Sequence, residues 1–449
     1  MKNIKLTYLF LLGIVSAAWV LAADFSTYSG TFMSLRGFMV DYTGFMSIAV
    51  MSVAMILAAR PRFIEPMING LDKGYRLHKW LGITALVTSV THFLFAVGPK
   101  WAFSLGLLEG GSRGGRGPRG AGGQELDALA TWLRSQRSLA ETVGEWAFYI
   151  TVVLIALALI KRVAYNRSFN FHRVFSVVYL ALVFHALILV KTSYWMQPIG
   201  WLTAILLIGG TVSALLSLFG AIGARNRHKA TVDKVTRFNN TQQVKIDVTL
   251  DGRWPGHRAG QFAFVRFNDT KEAHPFTLSS AWEDDNRASF IVKALGDHTQ
   301  QIVHSISTGA EVSVEGPYGE FDFASQKDEQ VWIAGGIGIT PFLARMKYLA
   351  MTKRFEQPTT LFYCVKEMDV PMIEYVSRAA KNANVKLYIF VEDRDGQINA
   401  EILKQRVANW RHADYWFCGP TQFGKAIQSD LVDSGIAKDA FHQELFEMR

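Results

Sequence analysis

Two cysteines in 449 residues, Cys364 and Cys418, exclude a disulfide framework, and neither stands at metal-site spacing. Acidic residues are the scarcer charge, 38 against 47 lysines and arginines, for a net +9. That excess sits in loops between apolar blocks, so it requires no nucleic-acid partner. A further absence divides the chain. From His228 onward no apolar run is long enough to cross hydrocarbon, and charged residues recur every few positions. The second half therefore reads as soluble.

The stretch up to residue 223 is the reverse. It holds LTYLFLLGIVSAAWVLA, FMSIAVMSVAMILAA, RLHKWLGITALVTSVTHFLF, WAFYITVVLIALALI, VFSVVYLALVFHALILV and WLTAILLIGGTVSALLSLFGAIG, each near or above spanning length. The expectation is a membrane α-helical bundle of six helices, residues 1–223. The first block also has the shape of a secretory signal, with Lys2 and Lys5 before the apolar core and the small Ala22 and Ala23 after it. Its length favours a retained helix. Arg60, Arg62, Lys73, Arg76 and Lys79 follow helix two, Lys161, Arg162, Arg167 and Arg173 follow helix four, and Arg225, Arg227 and Lys229 follow helix six. Positive loops face the cytoplasm, so these loops and the soluble half are expected there, in a multi-pass cell-membrane protein. The exception is GLLEGGSRGGRGPRGAGGQ, with Arg113, Arg116 and Arg119, which this topology puts outside. It reads as a solvated linker, partly balanced by Glu109, Glu125, Asp127 and Glu141.

Helix three carries His78 and His92, fourteen apart, and helix five carries His172 and His185, thirteen apart. Ionisable groups at bilayer depth are costly and mark function by default. Both helices run the same way, which puts His78 level with His172 and His92 level with His185. The two levels are about 20 Å apart at 1.5 Å per residue. Two imidazoles per level suit an iron porphyrin held on both faces, whereas a bare zinc ion wants four ligands. Two haem b groups are therefore expected. A spacing of fourteen returns to within about 40° of one helix face and thirteen to about 140°, so helix five has to tilt, bend or carry a wide turn. The plainer alternative is that each histidine hydrogen-bonds a neighbouring helix.

In the soluble half, KATVDKVTRF, TQQVKIDVTL, GQFAFVRF, PFTLSS, ASFIVKAL and AEVSVEGPYG are short strands with no long helix between them. That is the pattern of an antiparallel β-barrel, residues 224–326. From QVWIAGG on, strands alternate with helices from about Thr340 and near 372–382 and 399–406, which gives an α/β parallel-sheet domain, residues 327–449. AGGIGITPF lies at the first strand-to-helix turn, where Gly335, Gly336 and Gly338 let the backbone approach a pyrophosphate. The third glycine of the dehydrogenase fingerprint is missing, with Pro341 in its region, so a plain dehydrogenase domain is disfavoured. A tight turn needing small residues is the bland reading. In HPFTLSS the Thr277 hydroxyl suits a flavin edge, and in ALGDHT the amides near Gly296 suit a diphosphate.

Paired membrane histidines followed by HPFTLSS, AGGIGITPF and WFCGP resemble the ferric reductase and NADPH oxidase family, whose soluble half is similar to ferredoxin–NADP reductase. The resemblance implies FAD contacts from His274, Pro275, Phe276, Thr277 and Ser279, with Lys293, Gly296 and Thr299 at its phosphates. It also implies that Gly335, Gly336, Gly338, Thr340 and Pro341 line the site of NADPH or NADH, with Cys418, Gly419 and Pro420 beside the nicotinamide. The tail, ELFEMR, offers Phe446 to stack on the flavin, with Met448 a rival. The whole implies a membrane NAD(P)H-dependent oxidoreductase: hydride to FAD, single electrons through two haems, and an acceptor outside, either a ferric chelate or oxygen. Beyond the lipid bilayer no obligatory protein partner is evident. Arg36, at the outer start of helix two, matches an arginine of the oxidases or anchors the helix at the interface. The histidine that many oxidases carry one turn after the outer ligand is Ala96 here, which favours ferric chelates. A flavin sensor without turnover and a transporter are the readings from other classes, the latter lacking a broken helix or inverted repeat. Lys366 or Arg394 either binds a 2′-phosphate or is a solvated charge.

Overall fold

The computed structural model describes residues 2–106, 128–159, 165–267, 273–355 and 357–444, with the backbone alone for 2–3, 103, 128–130, 159 and 165–172. They fall into two compact units, one of Met1–Ile64 and Gly74–Ile222 and the other of Glu65–Lys73 and Gly223–Arg449.

In the first unit the apolar blocks are helices. Lys2–Ala22, Phe32–Ala58, Leu71–Ser104, Arg137–Leu159 and Pro198–Leu218 contain five stretches long and apolar enough to cross a membrane. A further helix, Tyr165–Leu189, forms where the fifth crossing is expected, and its described apolar part is Arg173–Leu189. Leu9, Phe10, Val87, Leu94, Val153, Ile205 and Ile208 are all exposed. Lipid accepts such a surface without penalty, where water would not. Hydroxyls tie the helices to one another inside: Ser52 to Tyr179 at 2.8 Å, Ser47 to Thr88 at 2.9 Å, Tyr8 to Thr84 at 2.6 Å and Ser16 to Tyr42 at 2.9 Å.

The second unit opens with β1 (Arg227–Phe238), β2 (Gln243–Leu250), β3 (Phe262–Phe267), β4 (His274–Thr277), β5 (Arg287–Lys293) and β6 (Glu311–Tyr318). They form one antiparallel sheet in the order β4-β3-β6-β1-β2-β5. Its edges meet at a single antiparallel bridge, Leu278 to Phe290. Burial alternates along β2, so Val244, Ile246, Val248 and Leu250 join Phe290, Val292 and Val314 in one core. Residues Glu65–Lys73 belong with this unit, and the Gly319 amide donates to the Glu65 carboxylate at 2.7 Å.

Next come β7 (Glu329–Gly335), β8 (Thr359–Val365), β9 (Lys386–Val391), β10 (Ala413–Cys418) and β11 (Phe441–Gln443), all parallel, in the order β11-β10-β7-β8-β9. β7 and β10 are buried along almost their whole length, as central strands covered on both faces must be. Helices Thr340–Thr352, Val370–Asn382, Ala400–Arg406 and Thr421–Asp433 alternate with the strands. The chain passes from β7 outward to β8 and β9, then returns to the other side of β7 as β10. Successive connections therefore diverge above β7 and β10, which leaves a crevice at their carboxyl ends. Phe342 is fully buried against Trp332 and Phe323, with ring centroids 5.5 and 5.8 Å away. Phe342→Ala is expected to remove about 3–5 kcal/mol, read as an earlier tryptophan-fluorescence transition when the purified full chain is melted.

Candidate functional site

The membrane histidines are held through Nδ1. His92 Nδ1 donates to the Val40 carbonyl at 3.0 Å, His78 Nδ1 to Ala54 at 3.0 Å and His185 Nδ1 to Ala140 at 2.8 Å. A carbonyl accepts only from an N–H, so in each ring Nδ1 carries the proton and Nε2 the lone pair, the tautomer of a metal ligand. His78 and His92 are fourteen residues apart on one helix, and Ala54 and Val40 are fourteen apart on the antiparallel neighbour, so both bonds stay in phase.

His92 and His185 face each other with ring centroids 6.4 Å apart and planes at 84°. A metal about 2 Å from a nitrogen of each ring, with about 1 Å more from nitrogen to ring centre, spaces two centroids by roughly 6 Å. The pair thus fits an iron held axially from both sides. The side chain of His172 lies outside the described residues, as do Phe446, Met448 and the glycine- and arginine-rich stretch 107–123.

The sequence reading missed what lets the imidazoles reach their carbonyls. On a helix, the side chain at i+4 leans back over the carbonyl of i. Four residues after Val40 stands Gly44, and four after Ala140 stands Gly144. A Cβ on Gly44 would lie 3.2 Å from His92 Cε1, and one on Gly144 would overlap the His185 ring. Nearby, Arg36 donates from Nε to the Phe95 carbonyl at 2.8 Å and from Nη2 to Ala96 at 3.0 Å. Asp41 accepts from Lys191 at 2.6 Å and from the Tyr194 hydroxyl at 3.0 Å.

In the second unit, His274–Thr277 is β4, paired with Val265 to Phe262 on β3. His274 stacks on His298 with centroids 3.9 Å apart, which brings HPFTLSS and ALGDHT together. Ser279 is fully buried, its Oγ has no partner among the described residues, and its carbonyl accepts Lys347 Nζ at 2.7 Å. Lys293 ends β5, and Gly296 precedes the helix Asp297–Ser305. The Thr299 hydroxyl orders that turn by accepting the Leu295 and Gly296 amides at 2.9 and 3.1 Å.

AGGIGITPF and CGP converge at the crevice. A Cβ on Gly338 would overlap the Cys418 carbonyl, and one on Gly335 would come within 2.8 Å of Pro420. Only glycine lets the two turns, and Gly419, meet backbone to backbone. Gly336 is different: it is left-handed, with φ 56°, and its missing side chain would meet nothing within 4 Å. Thr340 and Pro341 open the following helix, where the absent proline N–H costs nothing. Cys418 is buried, and burial pushes its thiol well above the ordinary value. Because Phe417 pairs with Gln443, Glu444 follows alongside Cys418. Burial first, then the Asp72 charge, pushes the Glu444 carboxyl well above the carboxylate range, and its Oε2 has no partner among the described residues. Two groups whose charged forms burial disfavours thus lie side by side, Cys418 at the end of β10 and Glu444 just past β11. Glu444 escaped notice because an acid near a chain end carries no signal until β11 is set beside β10. Lys366 is exposed beyond β8, whereas Arg394 gives Nε and Nη2 to Asp395 at 2.8 Å each.

A bundle of apolar, histidine-bearing helices ahead of an antiparallel sheet and a parallel sheet with a glycine-lined crevice defines a membrane protein with a flavin- and nicotinamide-binding module. Residues 43–183 match the ferric reductase like transmembrane component, residues 226–322 an FAD-binding domain, and residues 332–429 an oxidoreductase NAD-binding domain. By this domain set the chain is a membrane NAD(P)H-dependent oxidoreductase, with a ferric-reductase-like transmembrane domain followed by an FAD- and NAD-binding module. It is 31% identical to the flavohemoprotein of Bacillus subtilis over 43% of this chain and 52% of that protein. It is 35% identical to ferric reduction oxidase 8, mitochondrial, of Arabidopsis thaliana over 26% of this chain and 19% of that protein. The chain therefore spans about half the length of the first relative and about a fifth of the second. The FAD/NAD-binding domain of a Vibrio cholerae nitric oxide dioxygenase aligns with a TM-score of 0.43 at 18% identity, over 48% of this chain and 97% of that one.

Burial, then the facing His298, lowers His274 from 6.5 to about 4. The folded value lies below the unfolded one, so what the neutral ring contributes is complete above pH 6.5 and is lost as pH falls through about 4. Across that window the melting temperature of the full chain should fall less steeply in His274→Phe, which keeps the stack and cannot titrate, than in the wild type.

Proposed function

We propose that the protein moves electrons from cytoplasmic NADPH or NADH, by way of FAD and two b-type haems, across the cell membrane to ferric chelates outside. The observation that carries this reading is the His92–His185 pair, 6.4 Å between centroids, each ring held by an Nδ1 hydrogen bond to a helix carbonyl. The reading takes Tyr165–Leu189 as the fifth of six crossings and the six-stranded sheet as a barrel closed at Leu278 and Phe290. Its three domains are residues 1–223, 224–326 and 327–449.

When bound, the flavin supplies the conversion of a two-electron donor into single electrons that haem irons accept. His78 and His172 hold the inner haem, and His92 and His185 the outer one. A haem held by a histidine on each side would leave no site on its iron for the acceptor, so it would supply electrons without binding it. His274, Pro275, Phe276, Thr277 and Ser279 would line the flavin, Lys293, Gly296 and Thr299 would hold its phosphates, and Phe446 or Met448 would cover its ring. Gly335, Gly336, Gly338, Thr340 and Pro341 offer the nucleotide a helix start whose amides favour its diphosphate. Cys418, Gly419 and Pro420 back the nicotinamide. Arg36 has its Nε and Nη2 on backbone carbonyls, and this, with Ala96 in place of a histidine, supports ferric chelates over oxygen.

Purified protein should show a b-type spectrum with two haems, and His92→Ala and Gly144→Ala should each lose the same one. NADPH or NADH should be consumed faster with ferric chelates than with oxygen alone. Superoxide formation without chelate reduction overturns the acceptor, and a protein free of haem overturns the route.

A further inference from the structure

Helix Leu71–Ser104 contains Pro99 within its helical run. Proline has no amide hydrogen, so the carbonyl four residues back, that of Phe95, loses its donor within the helix, and the ring crowds it as well. Water does not make good that loss at bilayer depth. The second helix does. Arg36 Nε donates to the Phe95 carbonyl at 2.8 Å, and Nη2 to the neighbouring Ala96 carbonyl at 3.0 Å. One turn further along the second helix, the Val40 carbonyl accepts His92 Nδ1 at 3.0 Å. On the third helix, too, the two contact points are about one turn apart. Together they bracket the segment that presents His92 to His185.

We infer that Arg36 is a positioning residue: it replaces the hydrogen bond that Pro99 removes and so holds the stretch of helix carrying His92. The role rests on the proposed haem between His92 and His185, and it requires no contact between Arg36 and the acceptor.

The test compares wild type, Arg36→Ala, Pro99→Ala and the double variant as purified full-length protein. Alanine at position 99 restores an N–H and with it a donor for the Phe95 carbonyl. Arg36→Ala should lose one of the two haems or shift its reduced-minus-oxidised spectrum and midpoint potential. The double variant should regain both haems and the wild-type spectrum, and Pro99→Ala alone should resemble wild type. Haem content and spectrum unchanged in Arg36→Ala overturn the inference. So does a double variant no better than Arg36→Ala in haem content or in yield of inserted protein. If wild type itself holds no haem, the haem reading fails separately. The bracket is then read from thermal unfolding, and a double variant that melts no higher than Arg36→Ala overturns it.

Discussion

The bond from an imidazole Nδ1–H to a backbone carbonyl of a neighbouring helix is the constraint from which the membrane unit follows. A backbone acceptor cannot rotate or change charge, so it fixes tautomer, ring plane and depth together. Each such carbonyl already serves its own helix, and the second donor must approach over the residue four positions on. At two of the three carbonyls that residue is glycine, Gly44 beyond Val40 and Gly144 beyond Ala140, whereas Ala54 is followed by Ala58. The bonds also require the second and third helices to stay antiparallel and in phase over fourteen residues, because Val40 and Ala54 serve His92 and His78 in turn. Lipid-facing positions are released from any such requirement, and they are filled simply by apolar bulk.

The second unit meets a related demand by other means. Its crevice exists because the strand order reverses at β7, and its floor is narrow because Gly335, Gly338 and Gly419 let two turns touch. Lys347, on the helix that begins at this glycine turn, donates to the Ser279 carbonyl just beyond β4. The antiparallel and parallel sheets are therefore tied at the point where their two motifs end. Burial there pushes both the Cys418 thiol and the Glu444 carboxyl above their ordinary values, against their charged forms.

What was legible in the sequence had strong periodic or compositional signals. Five of the six strands from KATVDKVTRF to AEVSVEGPYG and the helices starting near Thr340, 372 and 399 are present within a residue or two, while PFTLSS keeps its strand only to Thr277. So is the level pairing of His92 with His185. Contacts set by three-dimensional approach were not legible. Gly44 and Gly144 look like any small residue in a membrane helix, His298 like a turn residue, and Glu444 like a solvated tail. The assignment of Glu65–Lys73 to the second unit was equally hidden, because a short charged loop after an apolar block reads as a plain connection. Spacing along one element survives translation into sequence, whereas proximity between elements does not.

Arg36 and Pro99 explain each other. A guanidinium in a membrane helix needs acceptors, and a carbonyl freed by proline needs a donor; alone, either would be a cost. Asp41 does comparable work one turn along, one residue beyond the carbonyl that holds His92, by gathering Lys191 and Tyr194 from the segment that follows helix Tyr165–Leu189. A single stretch of the second helix, from Arg36 to Asp41, thus grips the third helix on one side and the end of the fifth on the other. His92 and His185 belong to those two helices. The two rings nevertheless take their own reference points from different helices, His92 from Val40 on the second and His185 from Ala140 on the fourth.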